Sequence, residues 1–262
     1  MNNKSLKFSK YSGNGNDFII LDHPSVEMTP PLVQRLCSRH FGVGADGVLT
    51  LTTPLGFDGE MRIYNADGGE AEMCGNGLRC LATYLDDKSE EKKEFYKIKT
   101  MNGSYKVMKK SGSFAIEMSE IKDENRFDLS EFTEFSQKYF VNTGVPHLVF
   151  LGQDIKGIDM KIMAPKYRYH SMFPGGSNVN VVEVLDQVKQ IAYVRTYERG
   201  VEDETHSCGT GLTATALALS HWLGWKGEIT LMNKGGKQMV SVGDKIYYSG
   251  EVTRAFTGVV EL

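Results

Sequence analysis

The sequence predicts an α/β protein of the α+β type, built as two pseudo-symmetric halves, each a curved, mostly antiparallel sheet around one central helix. Three observations predict it: an internal echo that writes the chain twice, many short segments rich in β-branched and aromatic residues, and an apolar helical run at the same place in each echo. The echo is clearest around two cysteines. Met61-Arg-Ile-Tyr-Asn65 precedes an acidic, Gly-rich stretch and then Met73-Cys-Gly-Asn-Gly77, while Val194-Arg-Thr-Tyr-Glu198 precedes another acidic stretch and Ser207-Cys-Gly-Thr-Gly211. Upstream, Gly15-Asn-Asp-Phe-Ile-Ile-Leu21 and Gly144-Val-Pro-His-Leu-Val-Phe-Leu151 each run from a glycine turn into an apolar strand.

The elements follow in order. Strands are expected at Phe18–Leu21, Val48–Thr52, Met61–Tyr64 and Phe114–Met118, then at Leu148–Leu151, Val179–Val184, Ile191–Tyr197, Glu228–Leu231 and Lys245–Tyr248. Pro30–Arg39 reads as a helix, with Thr29 as its cap and proline in the first turn. Leu78–Asp86, opening at Asn76, and Leu212–Trp222, opening at Thr210, are the two central helices. The second is apolar nearly all round, as a helix enclosed by sheet must be. Residues 1–120, carrying Cys74, and 121–250, carrying Cys208, are the expected halves, with the weakly patterned Asp123–Ser136 as a linker.

Composition narrows the function classes. With 262 residues, 40% hydrophobic and 24% charged, the chain falls in the soluble globular range, and its net charge of −3 gives no reason to expect nucleic acid or an anionic membrane as partner. The polar, basic Met1–Lys10 lacks the apolar core of a signal peptide, and no run of about 18 apolar residues occurs, so a cytoplasmic protein is expected. The four cysteines, Cys37, Cys74, Cys80 and Cys208, are expected as reduced thiols. They form no CxxC pair, and no metal site is expected.

Cys-Gly-x-Gly at a helix start points to chemistry. The first N–H groups of a helix lack internal partners and carry partial positive charge, and glycines let a ligand approach them closely. The result is an anion seat beside a thiol. The helix terminus should lower a thiol pKa of about 8.5 by at most ~1.5 units, placing it near neutrality, where it serves as base or acid. If the two halves face each other, Cys74 and Cys208 meet across one cleft. One thiolate could then take a proton from one face of a carbon while the other thiol returns one to the opposite face. That outcome is inversion of a stereocentre. Cys37 and Cys80 lie in apolar helical patterns and read as core.

The signature segments resemble the diaminopimelate epimerase family: Phe8-Ser-Lys-Tyr-Ser-Gly-Asn-Gly-Asn-Asp-Phe18, Gly42-Val-Gly-Ala-Asp-Gly47, Arg62-Ile-Tyr-Asn-Ala-Asp-Gly68, Glu72-Met-Cys-Gly-Asn-Gly77, Glu198-Arg-Gly200 and Ser207-Cys-Gly-Thr-Gly211. The resemblance implies interconversion of LL- and meso-2,6-diaminopimelate in lysine and cell-wall synthesis, without pyridoxal phosphate or metal. It implies Cys74 and Cys208 as the acid/base pair. Gly75-Asn76 and Gly209-Thr210 would hold the reacting carboxylate, and Asn16, Asn65, Asn178 and Arg199 would read the distal end. Glu198 would accept from the substrate ammonium, and Glu198 and His147 would tune the thiols. A homodimer involving Phe256, and a last strand near Glu251–Leu262 that completes the first half, are implied as well. Three departures stand out: Val145 where the family commonly has asparagine, Gly47 where some members carry glutamine, and His206 beside the second cysteine. Two other readings compete, a proline or hydroxyproline racemase of similar architecture and a non-catalytic anion-binding module.

Overall fold

Strand alternation begins at once in the computed structural model, which describes residues 5–110, 112–118 and 121–262. In β1 (Ser5–Gly13) Leu6 and Phe8 are buried between exposed Ser5 and Lys7, a period of two that fixes which face meets the core. The chain divides into two compact units, Met1–Ile116 with Ser249–Leu262, and Glu117–Tyr248. The boundary expected at residue 120 lies outside the described residues.

Unit one continues with β2 (Asn16–Asp22), α1 (Pro30–Cys37), β3 (Gly47–Thr52), β4 (Gly59–Asn65), β5 (Glu70–Ala71), α2 (Gly75–Lys88), β6 (Phe95–Thr100), β7 (Gly103–Lys110) and β8 (Ser113–Glu117). Unit two repeats that order. It contains β9 (Gln137–Asn142), β10 (Pro146–Leu151), α3 (Met160–Arg168), β11 (Asn178–Asp186), β12 (Ile191–Glu198), β13 (Asp203–Thr205), α4 (Gly209–Leu223), β14 (Gly227–Asn233) and β15 (Gly236–Val242). The chain returns to unit one within β16 (Tyr247–Gly250) and ends as β17 (Val252–Glu261), antiparallel to β1 with Ser5 opposite Glu261.

Pairing repeats too. β2 is parallel to β3 and β4 to β6, as β10 is to β11 and β12 to β14. Each parallel pair spans one α-helix, α1 to α4 in turn, because parallel strands need a long crossover. The neighbouring pairs, such as β3–β4 and β11–β12, are antiparallel. The registers then match the halves residue by residue. Phe18 lies opposite Gly47 and His147 opposite Asn178, while Val48 lies opposite Tyr64 and Val179 opposite Tyr197. Phe18 thus corresponds to His147, Gly47 to Asn178, Asn65 to Glu198 and Cys74 to Cys208.

Each sheet packs around its own central helix. α2 touches β1, β2, β4, β6, β7 and β17, and α4 touches β9, β10, β11, β12, β14 and β15. Leu78 and Leu81 meet Leu49, Met61 and Ile98 in one inner core; Leu212 and Leu219 meet Val149, Val194 and Ile229 in the other. Burying each such leucine stabilises the fold by roughly 1.5–3 kcal/mol. α4 ends at Gly224, whose φ of 71° supplies the left-handed cap that a side chain would resist. A second layer lies outside each sheet, where α1 covers Leu21 and Val48 and α3 covers Leu148 and Phe150.

Several expectations need correction. α1 stops at Cys37, because the N–H groups of Gly44 and Ala45 take the Leu36 and Cys37 carbonyls, and Thr29 occupies its N-cap position without a side-chain bond. α2 and α4 open one residue earlier than read, so Cys74 and Cys208 are themselves the N-cap residues. Asp123–Ser136 is not a free linker: Leu129 and Phe132 are buried in the outer core of unit two, and the Asn125 N–H donates to the Phe140 carbonyl at 2.8 Å. The strand read at Lys245–Tyr248 begins at Tyr247, and the one read to Met118 ends at Glu117. No helix among the described residues is long and apolar enough to cross a membrane.

Candidate active site

Both thiols stand where a serine or aspartate would cap a helix. Cys74 has extended backbone (φ −144°, ψ 120°), and its sulfur accepts from the Gly77 N–H at 3.5 Å. Cys208 has the same extended conformation (φ −127°, ψ 101°) at the head of α4. Behind each, the N–H groups of the first helical turn, Gly75-Asn76 and Gly209-Thr210, have no partner within their helix and carry the positive end of its dipole.

In unit one the turn before α2 is held by side-chain amides. Asn16, half-buried at the start of β2, places its Oδ1 3.8 Å from the Cys74 sulfur and 3.3 Å from Asn76 Nδ2, and donates its own Nδ2 to Asp46 at 3.0 Å. Asp17 is clasped by Arg39 at 2.9 Å and Lys10 at 2.7 Å, and these contacts outweigh burial and hold its carboxyl at about 2. Asn65 ends β4 with an exposed side chain, and its backbone closes a turn with Gly68 and Gly69 at 2.9 and 2.8 Å.

Unit two carries the charges. Burial, then the neighbouring Glu198 carboxylate, pushes the Cys208 thiol up to about 12, against contributions from Thr210 and the Gly211 N–H. The expectation of a near-neutral thiol fails at this cysteine, because loss of solvent outweighs the helix terminus. Burial also raises Glu198, with Thr205 and Cys208 as the opposing hydrogen-bond partners. Asn178 is buried, donates to the Pro146 carbonyl at 2.8 Å and accepts the Arg199 N–H at 2.7 Å. The Arg199 side chain rests on the Gly175 carbonyl at 2.8 Å, and the loop around it is tied by Glu202, which bonds Arg168 at 2.7 Å and the Gly200 N–H at 3.0 Å.

His147 is fully buried on β10. Asn180 orients it: the amide Nδ2 donates to the Leu148 carbonyl and contacts His147 Nδ1, both at 3.1 Å, while Thr196 donates to its Oδ1 at 2.9 Å. Nδ1 therefore accepts and the ring proton lies on Nε2, which has no hydrogen-bond partner among the described residues. Burial, then the Arg199 charge, brings His147 down to about 3, so it is a neutral donor. At Gly211 a Cβ would lie 2.6 Å from Asn180 Oδ1 and 3.3 Å from both the Cys208 sulfur and His147 Cε1. Gly211→Ala is therefore expected to cost about 1–3 kcal/mol and lower the melting temperature by several degrees. An unchanged thermal melt would show that this cluster yields instead.

The structure thus gathers Cys74, Gly75, Asn76 and Asn16 at the head of α2, and Cys208, Gly209, Thr210, His147 and Glu198 at the head of α4. Asn178 and Arg199 adjoin the second group; Asn65 ends the strand leading toward the first. Of the departures, Val145 is half-buried, and His206 is exposed with its carbonyl bound by Gly235. Gly47 is packed so that a Cβ would lie 2.7 Å from the Tyr64 carbonyl, which excludes any side chain there in this backbone. Cys37 and Cys80 are buried, and burial raises them to about 11 and 12. One residue escaped the sequence reading: Arg79, fully buried in α2 and bonded to Asn76 Oδ1 at 2.5 Å. Its signal was a charge inside the apolar run Leu78-Arg-Cys-Leu-Ala82.

Comparison with known proteins identifies the family. The family model described as diaminopimelate epimerase matches residues 8–122 and again 139–255, the first match mostly in unit one and the second mostly in unit two. A diaminopimelate epimerase from Methanocella arvoryzae is 38% identical over 276 residues, covering 98% of this chain and 97% of its own. One from Caldanaerobacter subterraneus is 35% identical over 98% of this chain and 100% of its own. Among solved structures, a PhzF-family phenazine biosynthesis protein from Bacillus anthracis shares the fold with a TM-score of 0.74 at 13% identity, covering 98% of this chain and 99% of its own. A hydroxyproline epimerase from Agrobacterium vitis does so with a TM-score of 0.63 at 14% identity, covering 98% and 93%.

Proposed function

This chain belongs to the diaminopimelate epimerase family, and from that premise we propose that it interconverts LL- and meso-2,6-diaminopimelate, with Cys74 and Cys208 as the proton-exchanging pair. The observation that carries the mechanism is the duplicated cap: each unit has one thiol as the N-cap residue of its central helix, followed by Gly-x-Gly. A binding module would have no need of sulfur at both turns.

The chemistry then follows from the two unlike halves. With Cys208 held as the thiol by burial and by Glu198, the free enzyme stores its proton there. Cys74, half-buried and facing the Gly77 N–H, is the base. Its thiolate takes the α-proton, breaking the C–H bond. The electron pair left on carbon spreads into the attached carboxylate, which the first N–H groups of the helices stabilise. Cys208 S–H protonates the opposite face, which inverts the centre and leaves the thiolate on Cys208. In the reverse direction the roles exchange.

Gly75, Asn76, Gly209 and Thr210 are proposed to hold this carboxylate. Asn16, Asn65, Asn178 and Arg199 are proposed to read the distal amino-carboxylate end, where a guanidinium can bind a carboxylate with two parallel N–H bonds. Glu198 accepts from the substrate ammonium, and His147, neutral with Nε2–H as donor, tunes the thiols. The proposed setting is a cytoplasmic homodimer acting on a small molecule, with the exposed Phe256 of β17 as part of its interface.

The test is α-proton exchange. Incubation of the reduced protein with LL-diaminopimelate in deuterated water should give deuterium at the α position together with the meso isomer, followed by NMR. No exchange with diaminopimelate would sink the proposal, and exchange confined to proline would move it to a cyclic substrate.

A further inference from the structure

We propose that Arg79 is a positioning residue for Cys74: it clamps the Asn76 carboxamide and through it aligns Asn16 beside the sulfur, while its buried charge, acting against that acceptor, makes the Cys74 thiol more acidic than its counterpart on α4. The proposal rests on the reading of Cys74 as a proton-exchanging thiol. Arg79 lies five residues along α2 from Cys74 and is fully buried. Its Nη2 donates to Asn76 Oδ1 at 2.5 Å and its Nη1 to Asn14 Oδ1 at 3.0 Å. Asn76 in turn donates Nδ2 to Asn16 Oδ1 at 3.3 Å, and Asn16 donates Nδ2 to Asp46 at 3.0 Å. A guanidinium only donates and a carboxylate only accepts, so the two ends of this relay dictate which way both amides face. The result places Asn16 Oδ1 where it accepts from the Cys74 thiol at 3.8 Å, a contact that favours the protonated sulfur, so any gain in acidity comes from the guanidinium charge, and it places Asn76 at the turn that would hold the reacting carboxylate.

The second half makes the contrast. The position of Arg79 is taken in α4 by Thr213, equally buried, whose hydroxyl donates to the Gly209 carbonyl at 2.9 Å. The charge acting on Cys208 is instead the Glu198 carboxylate. One thiol thus has a cation buried in its helix, and the other an anion on the adjacent strand, so two symmetric caps acquire unequal acidities. At Cys80, its neighbour in sequence, the Arg79 charge opposes the rise caused by burial.

The other charged groups around this end of α2 do not reproduce that bias. Lys10 on β1, Asp17 on β2 and the flanking Arg39 and Asp46 are mutually bonded, and their four formal charges cancel. Glu72 precedes the helix with an exposed side chain. On β4, Glu60 and Arg62 pair with Lys99 of β6 and Glu70 of β5, while Lys109 of β7 and Arg254 of β17 reach Asp86 and Asp87 at the far end of α2.

The test is site-resolved alkylation of the reduced, full-length protein by iodoacetamide across pH 6 to 10, read for each cysteine by peptide mass spectrometry. Arg79→Met should slow Cys74 alkylation at neutral pH about tenfold and move its profile up by about one unit, leaving Cys208 unchanged. Arg79→Lys keeps the charge but loses the fork, so it should keep the Cys74 profile while lowering kcat/KM. A Cys74 profile in Arg79→Met that superimposes on wild type, or that shifts together with that of Cys208, overturns the proposal. If Arg79→Met does not fold, Arg79→Lys decides alone, and a profile shifted by a unit overturns it. Wild-type turnover is assayed in parallel, because missing epimerisation with a shifted profile would refute the substrate reading and not the role of Arg79.

Discussion

Alanine at Cys74 or at Cys208 is expected to lower epimerisation by about a thousandfold or more while the fold survives. A positioned acid or base contributes typically ~10²–10⁴-fold, and inversion requires both thiols, so each single variant should lose nearly as much as the double. Structural cost is small by comparison. Cys74 loses one long contact to the Gly77 N–H, and Cys208 is a small side chain whose removal leaves a cavity of one atom. A melting temperature within a few degrees of wild type is therefore expected for both. The variants should also separate the half-reactions: with Cys208 replaced, Cys74 can still exchange the α-proton of the isomer that presents it, but cannot invert the centre. Deuterium uptake without isomerisation from one substrate isomer is the expected signature. Near-normal turnover by either variant would end the two-thiol mechanism.

How legible the molecule was depends on what kind of physics set each feature. Duplication of Arg-x-Tyr and Cys-Gly-x-Gly survives in the sequence because both are local patterns, and β4, β12, α2 and α4 fall where those patterns place them. α3 was missed because Pro165 lies inside it, and its helix depends on packing of Met160, Ala164 and Tyr167 against the sheet, where local propensity argues against it. The end of α1 is set by a returning loop that takes its last carbonyls, which no window of sequence contains. At the site, residue types were readable but their electrostatics were not. The helix-terminus argument gave the right sign for its own contribution to Cys208, and the wrong total, since burial is a property of the folded chain. Arg79 was hidden for the opposite reason: a charge inside an apolar run looks like a helix facing water until the relay to Asn76 and Asn16 is seen.

His147 gives the second large effect, a loss of stability between pH 6.5 and about 4.5. Its folded-state value is brought down to about 3 from 6.5, so the unfolded chain binds a proton that the folded chain refuses. The contribution of the neutral, buried ring is fully present above 6.5 and is lost progressively as pH falls toward 3. At pH 5 this amounts to roughly 2 kcal/mol, a substantial part of a typical margin. Other shifted groups act elsewhere or oppositely. Asp17 and Glu202, each held at about 2, lose their stabilising contribution only as pH falls below the ordinary carboxylate range. Glu198, raised by burial, works against His147, since its folded form is favoured by protonation and its cost eases as pH falls toward 4.5. The wild-type curve alone therefore understates the histidine, and a difference measurement is needed. Chemical denaturation of wild type and His147→Gln at pH 7 and pH 5 should show wild type losing about 2 kcal/mol more than the variant over that interval. Parallel losses in the two proteins would mean that His147 is protonated and accommodated in the folded state. Nδ1 would then carry a proton as well and could no longer accept from the Asn180 amide.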